Sequence, residues 1–368
     1  MPITQLKING VRNLTNVELE LSEGFNFFYG ENGSGKTSLL EAISLLAHGR
    51  SFRTVNYRQL IQHEQPHMSV FAEVAQQSGI ASKVGVLRPQ RGQSTFKIDG
   101  SPVYSSASLA SLLPLQVINS KSFDLLDGPR KVRRGMFDWL VFHVKHEFSV
   151  LWRDYTKAVK QRNSLLRRDK ISGYELAPWD IELNRLGISI DALRQECLQP
   201  FLDKVDTLIP DINLPKEYRV DIEYQRGWTE GQTLSEALTE SYAKDRKYGY
   251  TTCGAHKSEL KVLINKQAAA EVLSRGQQKS LIAAFMFAEL QIFQQLMNKP
   301  SVLLIDDLPA ELDQQHIQCL ANWLLDLDTQ VFVTGIYAED MDRLKNKMNN
   351  KPCKVFHVKH GEINECNP

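Results

Sequence analysis

Hydrophobic and polar positions alternate through much of the first hundred residues. "VELEL" (Val17 to Leu21) alternates strictly, as does "FKID" (Phe96 to Asp99) before a turn at Gly100, and "FAEVA" and "KVGVL" lie between. A period of two marks half-buried strands, so this part reads as an antiparallel β subdomain. Set within it, "FNFFY" is a short apolar strand. A glycine-rich loop follows, and then Leu39, Ile43 and Leu46, with Leu40 and Ala47, form one apolar helical stripe. From Pro129 the period changes. Phe137, Leu140, Val141, Val144, Phe148, Leu151, Trp152, Tyr155 and Val159 recur at spacings of three and four. A second helical pattern runs from Leu186 through Ile190, Leu193, Cys197, Phe201 and Val205 to Leu208, with Pro200 expected to bend it. "RVDIEY" then reads as a strand and Leu234 to Tyr242 as a helix. Beyond them come "LKVLI", a strong helix opened by a Ser-Arg-Gly turn, and two continuous apolar runs, "SVLLIDD" and "QVFVTGI". Such uninterrupted runs suit strands buried on both faces of a parallel sheet. "NKMNNKP" reads as a loop. The expected division is 1–128, a mainly helical insert at 129–247, and 248–368.

Composition changes this picture little. The chain has 368 residues, 42% hydrophobic and 24% charged, as in ordinary globular proteins. A net charge of +1 gives no global field for nucleic acid, so any such binding must come from local patches. No run approaches the roughly 18 apolar residues of a membrane span, and "MPITQLKING" lacks the layout of a signal peptide. A cytoplasmic protein is expected. The five cysteines form no Cys-x-x-Cys pair and read as reduced thiols. His143 and His146 have no third ligand nearby and read as surface or packing residues.

The chemistry concentrates in the glycine loop. Gly30, Glu31, Asn32, Gly33, Ser34, Gly35, Lys36 and Thr37 fit the Walker A pattern, between a strand and a helix as that pattern requires. Glycines let consecutive backbone N–H groups face one anion, and the helix that follows directs its positive end at the phosphates. Lys36 supplies a point charge to the β- and γ-phosphates, and the Thr37 hydroxyl is a ligand for Mg²⁺. "VLLIDD" ends in Asp306 and Asp307 at the carboxyl end of a buried strand, where α/β sheets place their ligands. Asp306 reads as the Walker B residue that holds Mg²⁺ through water, and Asp307 as the group that positions or deprotonates the attacking water.

"LSRGQ" (Leu273 to Gln277) resembles the signature of the ABC ATPases, and "ELD" (Glu311 to Asp313) resembles their D-loop. The resemblance implies an α/β P-loop NTPase of the ABC-ATPase type. In that class the signature of one head caps the nucleotide of another. Ser274 and Gly276 would then meet a γ-phosphate in trans, with ATP joining a homodimer. Ser38 and Gln277 join the expected nucleotide contacts. The histidine usual after the following strand falls at Thr334, and Asp307 stands where glutamate is common. Slow turnover is expected from both changes. Gln116 or Asn119 is the expected Q-loop ligand to Mg²⁺. The interval from Thr37 to Leu273 is too short for a long coiled-coil arm. Two alternatives are the ATPase subunit of an ABC membrane transporter, against which Thr334 counts, and a scaffold that holds nucleotide without hydrolysis.

More specifically, "ITQLKINGVRNL", "LLDGPRKVRRGMFDWLVFHV", "GYTTCGAHKSEL", "LSRGQQK" and "LLIDDLPAELD" resemble the RecF family from end to end. Lys257, where that family usually carries arginine, and Ser120, where proline is common, are departures. The resemblance implies a Rad50-like head with two lobes, dimerisation on ATP, and binding to duplex DNA and single-strand/duplex junctions. It also implies cooperation with RecR and RecO in loading RecA at single-strand gaps, in recombinational repair, replication restart and the SOS response, near the nucleoid and with no membrane partner. On the residues alone, Arg130, Lys131, Arg133 and Arg134 lie around a helix start, where cations oppose the helix dipole and a polyanion would offset them. A solvated basic turn, or pairing with nearby acids, reads equally well. Lys157, Lys160, Arg162, Arg167, Arg168 and Lys170 read as a solvated helix face. Arg12 and Asn13 read either as phosphate or base contacts or as a structural turn.

Overall fold

The strand Phe25–Tyr29 is apolar along its length because it lies between two parallel neighbours. In the computed structural model, which describes residues 2–76, 79–168, 173–307, 314–348 and 351–366, the chain forms two units. The first comprises Met1–Phe123 and Met297–Pro368, the second Asp124–Leu296. The expected boundaries at 128/129 and 247/248 differ from these. Strand pairing and ring packing explain the second difference: Glu259–Ile264 is hydrogen-bonded to Val220–Gln225, and Phe285 and Phe293 pack against Phe201 and Trp139, so both segments stay with the insert.

The first unit holds two sheets. In one, the order is Glu362–Glu365, Cys353–Lys359, Phe25–Tyr29, Thr329–Gly335, Ser301–Ile305 and Leu115–Ile118, parallel except for the terminal hairpin. Phe28 stacks on Phe356 at 4.8 Å and on Phe332 at 6.3 Å between ring centres. The other sheet is antiparallel, in the order Leu14–Glu20, Ile3–Val11, His67–Val74, Ser82–Pro89, Thr95–Ile98 and Ser101–Val103. The helix Lys36–His48 packs against strands of both sheets. The expected single apolar stripe is therefore a correction: every residue from Ser38 to Ala47 is buried. Leu39, Leu40, Ile43, Leu45 and Leu46 join one core with both sheets, each worth about 1.5–3 kcal/mol of burial. Gln330 ties the sheets as well. Its carboxamide accepts from Ile3 N at 2.7 Å and donates to Ile3 O at 2.8 Å and Ser22 O at 2.7 Å.

In the second unit the apolar periodicity from Phe137 to Val159 is two helices, Arg130–Val144 and Phe148–Leu166, separated at Lys145–Glu147. A third helix, Gly173–Leu208, continues through Pro178 and Pro200. A small antiparallel sheet orders Gln267–Ala268, Glu259–Ile264 and Val220–Gln225. His143 is buried against Trp139, Phe142 and Phe293, which makes it a packing residue. The helix Arg275–Met297 is long and apolar enough to cross a membrane, yet 72% of its most apolar stretch is buried in the fold, as in a core helix.

Two fully buried arginines hold this unit together. Arg162 donates to Asp180 and Asp245, both at 2.6 Å, and to Thr251 at 3.0 Å. Arg194 forks onto Asp138 at 2.8 and 2.9 Å and also reaches Ala255 O and Ser258. Arg162 is thus no part of a solvated helix face, a second correction. Periodicity does not reveal that its acids lie elsewhere in the chain. Lys170 lies outside the described residues.

Candidate functional site

The glycine loop joins Phe25–Tyr29 to Lys36–His48 within the first unit. Gly30 has to be glycine there: a Cβ on it would lie 2.1 Å from Val358 O. Gly33 at φ +80° and Gly35 at φ +125° take conformations that side chains rarely adopt. Asn13 Nδ2 donates to Ser34 O at 2.9 Å and Gly33 O at 3.3 Å, Gly361 N donates to Ser34 O at 2.8 Å, and Ser38 donates to Asn13 Oδ1 at 3.1 Å. Lys36 Nζ reaches across the loop to Gly30 O at 2.7 Å and Glu31 O at 2.9 Å. Burial pushes the Lys36 pKa down, while the charges of Asp307 and Asp306 push it up. The lysine is thus aimed over the cradle with two carboxylates nearby.

The next residue on the helix meets the acidic strand end. Thr37 Oγ1 donates to Asp306 Oδ1 at 2.9 Å, and the same oxygen accepts from Thr334 Oγ1 at 3.0 Å. Burial raises the Asp306 pKa, and these two hydroxyls and the Arg53 charge act against the rise. Asp307 sits at φ +57°, its backbone N–H donates to Thr334 Oγ1 at 2.8 Å, and its Oδ1 is buried without a hydrogen-bond partner among the described residues. Thr334 therefore does more than replace a histidine: one hydroxyl accepts from the Asp307 backbone and donates to Asp306. Sequence reasoning missed that role, which depends on the parallel register of Ser301–Ile305 with Thr329–Gly335.

Two oxygens, from Thr37 and Asp306, converge at the mouth of the loop. A Mg²⁺ ion bound through one or two protein oxygens, with phosphate and water completing its shell, fits this donor set. Gln116 is buried on the strand beside Ser301–Ile305. Asn119, just past that strand, exchanges hydrogen bonds with Ser122. Arg12 and Asn13 form the turn between Ile3–Val11 and Leu14–Glu20. Arg12 lies at φ 51° and forks onto the buried Glu41 at 2.6 and 3.0 Å, which also accepts from Ser51 at 2.5 Å.

The signature segment belongs to the second unit and has its own logic. Ser274 N donates to Gln277 Oε1 at 3.0 Å and Gln277 N donates to Ser274 Oγ at 3.4 Å. This reciprocal pair is a capping box that starts the helix Arg275–Met297. Ser274 stays exposed, and Gly276 and Gln277 are half-buried. Glu311, Leu312 and Asp313, read as the D-loop, lie outside the described residues.

The basic run splits in two. Arg133 donates to the carbonyls of Leu125, Leu126 and Gly128 at 2.9–3.0 Å and pairs with the buried Glu259. Arg134 donates to His256 O and stacks over Trp152. Both fasten the fold from within, a correction to the reading of a four-residue DNA patch. Arg130, also paired with Glu259 at 2.7 Å, remains 65% exposed, and Lys131 is exposed.

A parallel sheet with a glycine cradle at one strand end, an acid two strands away, an antiparallel sheet alongside and an S-x-x-Q capped signature helix is the architecture of an ABC-type ATPase head. The RecF/RecN/SMC N terminal domain matches residues 2–364. The chain is 48% identical over 362 residues to the DNA replication and repair protein RecF of Saccharophagus degradans, covering 98% of each, and 43% identical to that of Cellvibrio japonicus, covering 99% of each. It therefore belongs to the RecF family within that wider group. Among solved structures, that of the recombination mediator protein RecF-ATP in the RecFOR pathway superimposes with a TM-score of 0.86 at 24% identity, covering 99% of each chain. The Smc head domain of Pyrococcus furiosus gives 0.59 at 14% identity, covering 99% of this chain and 96% of that one.

Proposed function

We propose that this chain is an ATP-dependent DNA-binding protein of recombinational repair and replication restart, with weak ATPase activity. One observation carries the reading most: the hydrogen bond between Thr37 and Asp306 at the mouth of the glycine loop, in a chain 48% identical to a DNA replication and repair protein. Lys36 and the backbone of Gly30, Glu31, Asn32, Gly33, Ser34 and Gly35 hold the triphosphate, with Ser38 behind them. Thr37 and Asp306 hold Mg²⁺, which when bound neutralises charge on the phosphate oxygens. Asp307 orients or deprotonates the attacking water. Ser274, Gly276 and Gln277 of a second copy complete the pocket, so that ATP closes a homodimer.

The dimer grips duplex DNA or a single-strand/duplex junction. With RecO and RecR, it prepares single-strand gaps for RecA. Slow hydrolysis follows from an aspartate one methylene shorter than glutamate and a threonine that is committed to holding the strand ends. Light scattering of the protein with and without ATP and DNA tests the reading. The expected result is a monomer alone and a dimer with ATP, stabilised further by DNA. A species unchanged by nucleotide at any concentration would sink it.

A further inference from the structure

A groove of about 570 Å³ lies wholly in the second unit, between the turn that follows Val220–Gln225 and the segment around Lys257. Its charged lining is Arg130, Arg226 and Lys257 against the single carboxylate of Glu230, and the rest is neutral, with Tyr224 and Trp228 supplying aromatic surface. The cations are incompletely neutralised. Arg130 shares Glu259 with Arg133. Among the described residues Lys257 makes no ion pair; its ammonium lies 5.0 Å from the centre of the Tyr250 ring. Burial lowers the Lys257 pKa and the charges of Arg134 and Arg130 lower it further, against a weaker pull from Asp245, so an added anion would relieve a local excess of positive charge.

The aromatic side of the groove points to the kind of anion. The Arg226 guanidinium lies 4.3 Å from the Trp228 ring centre and donates to Asp191 at 2.9 Å. Among the described residues Arg226 Nε and Trp228 Nε1 are buried without hydrogen-bond partners, on adjoining planar groups. Tyr224 donates to the same Asp191 at 2.8 Å, which fixes this wall. The turn between them is pinned. Gly227 lies at φ +98°, a Cβ on it would fall 2.3 Å from Gly254 O, and Gly254 N donates to Gly227 O at 3.0 Å. Cations on one side, a stacked plane on the other and a rigid floor suit a ligand that alternates charge with flat rings.

We propose that this groove receives the phosphodiester backbone of a nucleic-acid strand, with Lys257 and Arg130 on phosphates and the Arg226–Trp228 pair against a base or sugar. The proposal rests on the DNA-binding reading above and gives it an address. An acidic peptide would satisfy the cations but would leave the stacked plane without a purpose.

The test is fluorescence anisotropy of the full chain with ATP and a labelled duplex bearing a single-stranded extension, over a series of salt concentrations. Near 0.1 M salt each released counterion is worth about eightfold in affinity. Lys257→Gln should therefore weaken binding about eightfold and flatten the log–log salt slope by about 0.9. Lys257→Glu should do more, and Trp228→Ala should weaken binding with the slope unchanged. Thermal midpoints check folding, and Lys257→Gln carries the test should the reversal fail to fold. Wild-type protein that binds DNA while Lys257→Gln and Trp228→Ala bind with its affinity and slope would overturn the groove and spare the DNA reading. Wild-type protein that binds no DNA at any salt would overturn both. Displacement of the oligonucleotide by polyglutamate at lower concentration than by unlabelled oligonucleotide would make the groove a peptide site and end the proposal.

Discussion

Replacing Thr334 by valine removes one hydroxyl from the point where two strand ends meet. That hydroxyl donates to Asp306 Oδ1 at 3.0 Å and accepts from the Asp307 backbone at 2.8 Å, in a residue itself wholly buried. The variant leaves a backbone N–H unpaired and deprives a buried carboxylate of one of two hydroxyl donors, a combined cost of about 2–4 kcal/mol. Asp307, at φ +57°, is also held less firmly. The loss should depend on pH. Burial already raises the Asp306 pKa against the Thr37 and Thr334 hydroxyls, and losing one of them raises it further. A carboxyl whose folded pKa lies above its unfolded value keeps its proton longer in the native state, so stability from this source is present in acid and is lost as pH rises through the folded pKa. The valine penalty should therefore be larger near pH 8 than near pH 4.5. Urea denaturation of wild type, Thr334→Val and Thr334→Ser at both pH values measures it, with serine expected to restore most of the stability. A valine variant within about 0.5 kcal/mol of wild type at both pH values would refute the reasoning, since that is the scatter of neutral surface changes. So would a serine variant as weak as valine.

Asp245→Ala leaves Arg162 buried with one carboxylate instead of two, and should cost about 3–5 kcal/mol by chemical denaturation. His256, pushed down to about 4 mainly by burial, is neutral in the native state. The unfolded chain takes up its proton first, so stability should fall as pH drops from the ordinary histidine range toward that value. The loss from this residue is roughly 2 kcal/mol by pH 5, and His256→Gln should flatten that limb of the stability profile. Ser274→Arg should abolish the ATP-dependent dimer in light scattering while leaving binding of a fluorescent ATP analogue intact; persisting dimers would remove Ser274 from the interface. Gly30→Ala, which drives a methyl into Val358 O, should abolish binding of that analogue, and near-normal affinity would show that the loop can shift.

The nucleotide cradle was legible because its chemistry is local. Eight consecutive residues, a strand before and a helix after suffice to specify it, and "LLIDD" carries its acid at a strand end. The partners of charged residues were not legible. Arg133 meets Glu259 and Arg162 meets Asp245 across long stretches of chain, so a run of cations looked like surface where the fold uses it as internal fastening. Thr334 was visible only as a missing histidine, because its two hydrogen bonds arise from strand register. The apolar period across Lys145–Glu147 ran on because two successive helices bury faces that happen to stay in phase. Nothing in the sequence of Lys36–His48 announces a second sheet, so its apolar pattern points to one buried face where the fold buries all round. The reciprocal bonds of Ser274 and Gln277 could have been found from the S-x-x-Q spacing alone.

The strand Phe25–Tyr29 finds its two parallel neighbours only at Thr329–Gly335 and Cys353–Lys359. During synthesis its three phenylalanines must wait while some three hundred further residues are added, about 15–60 s at ribosomal speed. A nascent chain therefore cannot complete the sheet around the glycine loop until Thr329–Gly335 and Cys353–Lys359 have left the ribosome. Three phenylalanines that the finished fold hides are thus without their partner strands throughout that interval.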